Sequence, residues 1–202
     1  MRCVLITGAA GFIGSHTSLV LLNAGYRLFL LDNFSNSSPS ALNRIAQLST
    51  LSREEFNDRV SIIKGDVRDF SLLVNIFSNA ENNGEKIFSV IHFAGLKAVE
   101  ESFDKPFDYW DNNVGGTLNL LKAMEKSSCR NLVFSSSATV YGPIKKDASN
   151  ETDPISPINP YGLTKATIEK MLGNIAGCQS TNIPRQESTK GWKIACLRYF
   201  NP

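Results

Sequence analysis

The sequence predicts an α/β fold built on a doubly wound parallel sheet, and three observations carry that prediction. Short apolar runs rich in β-branched residues recur along the chain, as strands buried on both faces require. Segments with helical apolar spacing stand between consecutive runs, the pattern of parallel strands joined by crossovers. The first run also opens into a glycine-rich turn, where backbone can approach an anionic ligand closely.

Taken in order, Cys3–Ile6 reads as the first strand, reaching Thr7, and the turn runs Gly8-Ala9-Ala10-Gly11-Phe12-Ile13-Gly14. Phe12–Ala24 is helical, with Ile13, Leu19, Val20 and Leu22 as its apolar stripe and Gly25 as its left-handed stop. Tyr26–Leu31 is the second strand, ending at Asp32-Asn33, and the Asn/Ser-rich stretch Asn33–Ser40 reads as a loop. Val60–Ile63 is the third strand, ending at Gly65-Asp66, followed by a helix over Leu72–Asn79. Ile87–Phe93 is the fourth, ending at Ala94-Gly95. Phe107–Lys126 is one long helix with Val114, Leu118, Leu121 and Met124 inward. Asn131–Phe134 is the fifth strand and runs into Ser135-Ser136-Ser137. A helix over Ala166–Ile175 and a sixth strand over Trp192–Leu197 complete the pattern, with the polar stretch Cys178–Gly191 as a surface loop. All 202 residues are expected to form one domain.

Composition excludes several classes of function. Net charge is +2, from 21 basic and 19 acidic residues, and the longest basic run is Lys145-Lys146, which is no nucleic-acid footprint. Cys3, Cys129, Cys178 and Cys196 form no CxxC or zinc-type spacing with His16 or His92, so thiols in a reducing compartment and no metal site are expected. Both histidines read as structural. Arg2 is followed by Cys-Val-Leu-Ile-Thr, too short for a secretory apolar stretch, and no run approaches the roughly 20 apolar residues of a membrane span. A cytoplasmic protein with no membrane partner is expected.

The glycine turn has the spacing G-x-x-G-x-x-G between a strand and a helix, which suits a dinucleotide pyrophosphate at a helix N-terminus. Asp32 ends the second strand, where a carboxylate accepts from the adenosine ribose hydroxyls and repels a 2′-phosphate; this favours NAD over NADP. Asp66 and Phe93-Ala94-Gly95 end two further strands on the same rim. Tyr161 and Lys165 lie four apart at the start of a helix, hence on one face. An ammonium beside a phenol favours the phenolate, so this pair predicts a base with a lowered pKa, able to take a hydroxyl proton while a nicotinamide oxidises the same carbon. A serine of Ser135–Ser137 could hydrogen-bond the reacting oxygen, and the residues alone do not choose among the three.

Together the runs ITGAAGFIGSH, LDNFSNSS, GDVRD, HFAGLKAVEES, YWDNNVGGT, FSSSATVYG, PYGLTK and LRYFNP resemble the extended short-chain dehydrogenase/reductase family, whose fold is Rossmann-type. They span the chain in order. The resemblance implies a catalytic set of Ser137, Tyr161 and Lys165. It implies cofactor contacts from Gly8, Gly11, Phe12, Ile13, Gly14, Asp32, Asn33, Asp66, Val67, Phe93, Ala94, Gly95, Lys97, Asn112, Ser135, Tyr161, Lys165 and Tyr199. Lys97, Ser137, Tyr161, Phe200 and Asn201 would face a UDP-sugar substrate. The implied reaction is the interconversion of UDP-glucose and UDP-galactose, by transient oxidation at C4 with held NAD and reduction from the other face. Ser137-Ala138-Thr139-Val140-Tyr141 offers no carboxylate for a dehydratase, and HFAGLKAVEES favours glucose/galactose over uronate epimerases by resemblance. The family pairs as homodimers through the helices that correspond to 107–126 and 161–176. It also places a sugar-nucleotide-binding region after the point corresponding to Pro202. The expectation is therefore an N-terminal part that binds NAD with little turnover alone, with a catalytically silent NAD-binding module or another NDP-sugar epimerase of the same family as the alternatives.

Overall fold

The computed structural model describes residues 1–143, 149–177 and 191–200. Six parallel strands form one sheet in the order β3-β2-β1-β4-β5-β6. They are β1 (Cys3–Thr7), β2 (Arg27–Asp32), β3 (Val60–Lys64), β4 (Ile87–His92), β5 (Asn131–Ser137) and β6 (Lys193–Tyr199). The strand order reverses between β1 and β4, and such a switch leaves a crevice beyond the carboxyl ends of the strands.

The alternation of β1 builds a core on each face. Val4 and Ile6 join Leu28, Leu30, Leu42, Ile45 and Phe56. Cys3 and Leu5 join Phe29, Leu73, Phe77, Leu120, Met124, Phe134 and Ile168. Helices α1 (Phe12–Asn23), α2 (Pro39–Leu48) and α3 (Arg53–Arg59) therefore cover the first face. The second is covered by α4 (Phe70–Asn82), α7 (Gly116–Lys126) and α8 (Pro160–Ala176), with α5 (Val99–Asp104) and α6 (Pro106–Tyr109) leading into α7.

Several sequence expectations need correction. The stretch read as a loop from Asn33 runs into α2, whose first turn is set by Pro39 and by Ser38 accepting from the Ser40 N–H. α3 was not expected; Ser52 and Glu55 form a reciprocal capping box at its start. The long helix over 107–126 is broken by a π turn at Trp110–Gly115, where Thr117 Oγ1 donates to the Asn113 carbonyl at 2.5 Å. Leu118 and Val20 face out rather than in. On α1 the buried line is Gly14, Ser18 and Leu22, because a helix lying close over a βα turn leaves room only for small residues near its start. The sixth strand begins after Trp192 and continues to Tyr199, and as an edge strand it is largely exposed. Gly25 does stop α1 with φ +91°. The loop reading at 178–190 and the Lys145-Lys146 pair lie outside the described residues.

Among the described residues no helix is long and apolar enough to cross a membrane, and no cluster of metal-ligating side chains is present. Cys3 and Cys129 are free, buried thiols.

Candidate active site

A cleft of about 690 Å³ lies over the carboxyl ends of the strands. Its floor is the turn after β1. Gly8 holds φ +68°, and a Cβ there would stand 2.6 Å from the Ala94 nitrogen. A Cβ on Gly14 would run into the Gly8 carbonyl. Glycine at these positions lets β1, α1 and the end of β4 close on one another. α1 starts at Gly11 with no side-chain cap and no acidic residue in its first turn, so its positive end is free for an anion.

Asp32 closes one end of the cleft. Its carboxylate accepts from the Ala10 N–H at 2.8 Å, the Phe34 N–H at 2.9 Å and the Ser37 hydroxyl at 2.8 Å. It is 8% exposed, and no cationic side chain contacts it among the described residues. The clamp by Ser37 was not anticipated from sequence.

At the other end stand Ser137, Tyr161 and Lys165. The three serines at the end of β5 have different partners. The Ser135 carbonyl accepts from Lys165 Nζ at 2.9 Å, and Ser136 turns away to Glu169 at 2.5 Å. Ser137 accepts from Thr139 Oγ1 at 3.0 Å and from the Thr139 N–H at 3.2 Å, and it lies near enough to Tyr161 to act on its phenol. α8 begins at Pro160 with Asn159 accepting from the Gly162 N–H, which sets Tyr161 in its first turn. Tyr109, fully buried, meets the Tyr161 ring edge-on at 6.4 Å.

The electrostatics differ from the sequence expectation. Burial pushes the Tyr161 phenol up rather than down, and only its hydrogen bond with Ser137 works the other way. The reason is the position of the ammonium. Lys165 Nζ is bonded to the Ser135 carbonyl, stands 5.9 Å from the Tyr161 ring centre, and is itself so buried that its pKa falls to about 8.

A chain of polar groups runs beneath the cleft. Ala94 N–H donates to Thr7 Oγ1, which pairs with His92 Nδ1 at 2.6 Å, and His92 Nε2 pairs with Thr117 Oγ1 at 2.9 Å. Since Thr117 donates onward to Asn113, His92 must carry its proton on Nε2 and accept at Nδ1. Burial holds it neutral, with a pKa of about 3. Its structural reading agrees with these contacts. His16, by contrast, is exposed and pairs with the Phe12 carbonyl. Asn113 was missed by sequence reading. Buried in the π turn, it accepts from the Leu96 N–H and Asn112, and donates to the Leu96 carbonyl and Thr164.

Every residue expected at the cofactor lines this cleft except Asp66. Asp66 is occupied by Arg68 at 2.8 Å and Asn33 at 2.9 Å, which hold its carboxyl at a pKa of about 2. Its neighbours Gly65 and Val67 line the cleft instead. Of the residues expected at a substrate, Lys97, Ser137, Tyr161 and Phe200 line it, and Asn201 lies outside the described residues.

A sequence profile described as GDP-mannose 4,6 dehydratase matches residues 5–184. The chain belongs to this family. Curated relatives include UDP-glucose 4-epimerase 2 of Arabidopsis thaliana, 46% identical over 100% of this chain and 52% of its own length. UDP-glucose 4-epimerase of Yersinia pestis is 44% identical over 98% of this chain and 53% of its own. The chain thus spans about half the length of the curated relatives it matches. Among solved structures, UDP-glucose 4-epimerase from Bifidobacterium longum, in complex with NAD+ and UDP, superposes with a TM-score of 0.83. It is 44% identical and matches 100% of this chain and 54% of that one. The Stenotrophomonas maltophila enzyme, with bound NAD and formylated UDP-arabinopyranose, gives 0.85 at 34% identity, over 100% and 54%.

Proposed function

We propose that residues 1–202 form the NAD-binding, catalytic domain of a UDP-glucose 4-epimerase. The observation that carries this reading is the juxtaposition of Ser137, Tyr161 and Lys165 with the far end of a cleft floored by an uncapped glycine turn. Named relatives of the same family that bind NAD and UDP support it.

The residues fit the dinucleotide at each of its parts. Gly8 and Gly14 let the turn, α1 and the end of β4 pack closely, and the uncapped start of α1 beside them suits a pyrophosphate. Asp32 suits two ribose hydroxyls and disfavours a 2′-phosphate, supporting NAD over NADP. Val67 and the end of β3 suit the adenine, and Lys165 with Ser135 suits the nicotinamide ribose. When bound, the nicotinamide supplies reversible two-electron oxidation of the sugar carbon.

The protein groups handle the proton. Tyr161 is the base that takes the C4 hydroxyl proton and later returns it, and Ser137 hydrogen-bonds the same oxygen. Tyr161 is held up by burial, so it needs added positive charge to work near neutral pH. A bound nicotinamide ring would add such a charge, beside Lys165 at 5.9 Å from the Tyr161 ring centre. A homodimer is supported by apolar side chains exposed along the second face, including Phe103, Phe107 and Leu163. A cytoplasmic site is supported by the buried free thiols Cys3 and Cys129.

The test is Tyr161→Phe in the protein that contains this chain. UDP-galactose conversion to UDP-glucose should fall by about a thousandfold while NAD stays bound. Unchanged turnover would remove Tyr161 as the base. NAD binding by the 202-residue chain without turnover would favour the silent-module alternative for this chain.

A further inference from the structure

Glu169 lies four residues after Lys165 on α8, one turn along the same face. Its side chain is 7% exposed, an expensive place for a carboxylate without partners. It has three contacts. Arg198 donates to it twice, through Nη2 at 2.7 Å and Nε at 3.0 Å, and Ser136 donates at 2.5 Å. Each partner leads to a different part of the cleft, Ser136 as a lining residue and Arg198 through its neighbours Tyr199 and Phe200. Ser136 sits between Ser135, whose carbonyl holds Lys165, and Ser137, which meets Tyr161. Arg198 precedes Tyr199 and Phe200, and its other nitrogen donates to the Tyr141 hydroxyl at 2.7 Å. Tyr141 in turn stacks on Phe200 at 6.1 Å.

The geometry points to Glu169 as a positioning residue: it joins the ends of β5 and β6 to α8 and keeps Lys165 in its charged form. This rests on the proposed contact between Lys165 and the NAD ribose.

Among the described residues, the charged and titratable groups around Lys165 are His92, Tyr161, Tyr109, Glu169 and Arg198. His92 on β4 is neutral, Tyr161 on α8 is protonated, and Tyr109 on α6 lies beyond it with a pKa pushed up to about 12. Arg198 on β6 faces Glu169 from the far side and is bonded to it. Glu169, buried one helix turn from Lys165, is the anion that opposes the downward push of burial on the ammonium. Desolvation would otherwise strip the proton from a lysine so enclosed. The Ser136 bond adds register, because β5 cannot slide without moving both the Ser135 carbonyl and the Ser137 hydroxyl.

The experiment is NAD+ affinity of the 202-residue chain as a function of pH, followed by quenching of tryptophan fluorescence. Trp110 begins the π turn that carries Asn112. The parent should show a break near pH 8, above which affinity falls as Lys165 loses its proton. Lys165→Met should show no break; a break that survives there refutes the reading of Lys165 and the proposal with it. With that control flat, Glu169→Gln should move the break down by about one pH unit, and Glu169→Asp should keep it near the parent position. If Glu169→Gln does not fold, the double variant Glu169→Gln, Arg198→Met removes both charges together and should also break at lower pH. A lower melting temperature with the break unmoved in the folded variants would mark Glu169 as structural only and overturn the proposal.

Discussion

Gly14→Ala tests the link between turn geometry and ligand binding. The new Cβ would meet the Gly8 carbonyl oxygen and lie 3.0 Å from Ala9 Cα. Both obstacles are backbone, so no side chain can swing aside, and α1 must move off the turn. Overpacking of this kind costs about 1–3 kcal/mol. At roughly 2 kcal/mol, a domain of this size should melt about 4–8 °C lower. The same movement withdraws the uncapped helix end from the cleft, and losing about 1.4 kcal/mol there weakens NAD+ about tenfold. Gly173→Ala is the matched control, since its Cβ has nothing within 4 Å and lies inside α8. It should stabilise by about 0.5–1 kcal/mol and leave NAD+ affinity alone. Differential scanning calorimetry and isothermal titration read both effects. A Gly14→Ala protein that melts and binds like its parent would refute the reasoning.

Other outcomes follow from the same contacts. Asp32→Ser should weaken NAD+ and improve NADP+ in competition titrations, moving their affinity ratio by about tenfold or more. His92 has a depressed folded pKa of about 3, so its contribution is present above pH 6.5 and lost as pH falls from there toward 3. Urea unfolding should show about 2 kcal/mol lost through this group between pH 7 and pH 5, and His92→Asn should lack that part of the slope. Lys165 also has a depressed folded pKa, so burying its charge destabilises the fold fully below pH 8 and not at all above 10.5. Lys165→Met should therefore be up to about 3 kcal/mol more stable at pH 7 in chemical denaturation, and the gain should shrink between pH 8 and 10.5.

The strands were legible because a parallel sheet covered on both faces writes itself as continuous apolar runs, as in Cys3–Ile6 and Leu28–Leu31. The glycine turn was legible for a similar reason, since only glycine tolerates the contacts at positions 8 and 14. α2 and α3 were hidden by polar composition, although Ser52 and Glu55 carry a capping-box spacing that could have disclosed α3. The π turn depends on Asn113 and Thr117 bonding across the chain, which no periodicity reveals. Ser136 and Ser137 look alike in sequence, and only the direction of β5 against α8 separates a partner of Glu169 from a partner of Tyr161. Glu169 itself reads as an ordinary helix-surface acid until Arg198 is brought to it from β6.

In the proposed binding mode the adenosine ribose of NAD lies at Asp32 and its nicotinamide ribose at Lys165. Calorimetric titration of the 202-residue chain with NAD+ and with NADP+ tests it most directly. The account predicts one NAD+ bound per chain, NADP+ weaker by about tenfold or more, and loss of that preference in Asp32→Ser. Equal affinity for the two cofactors, or no binding of either by the folded chain, would contradict it.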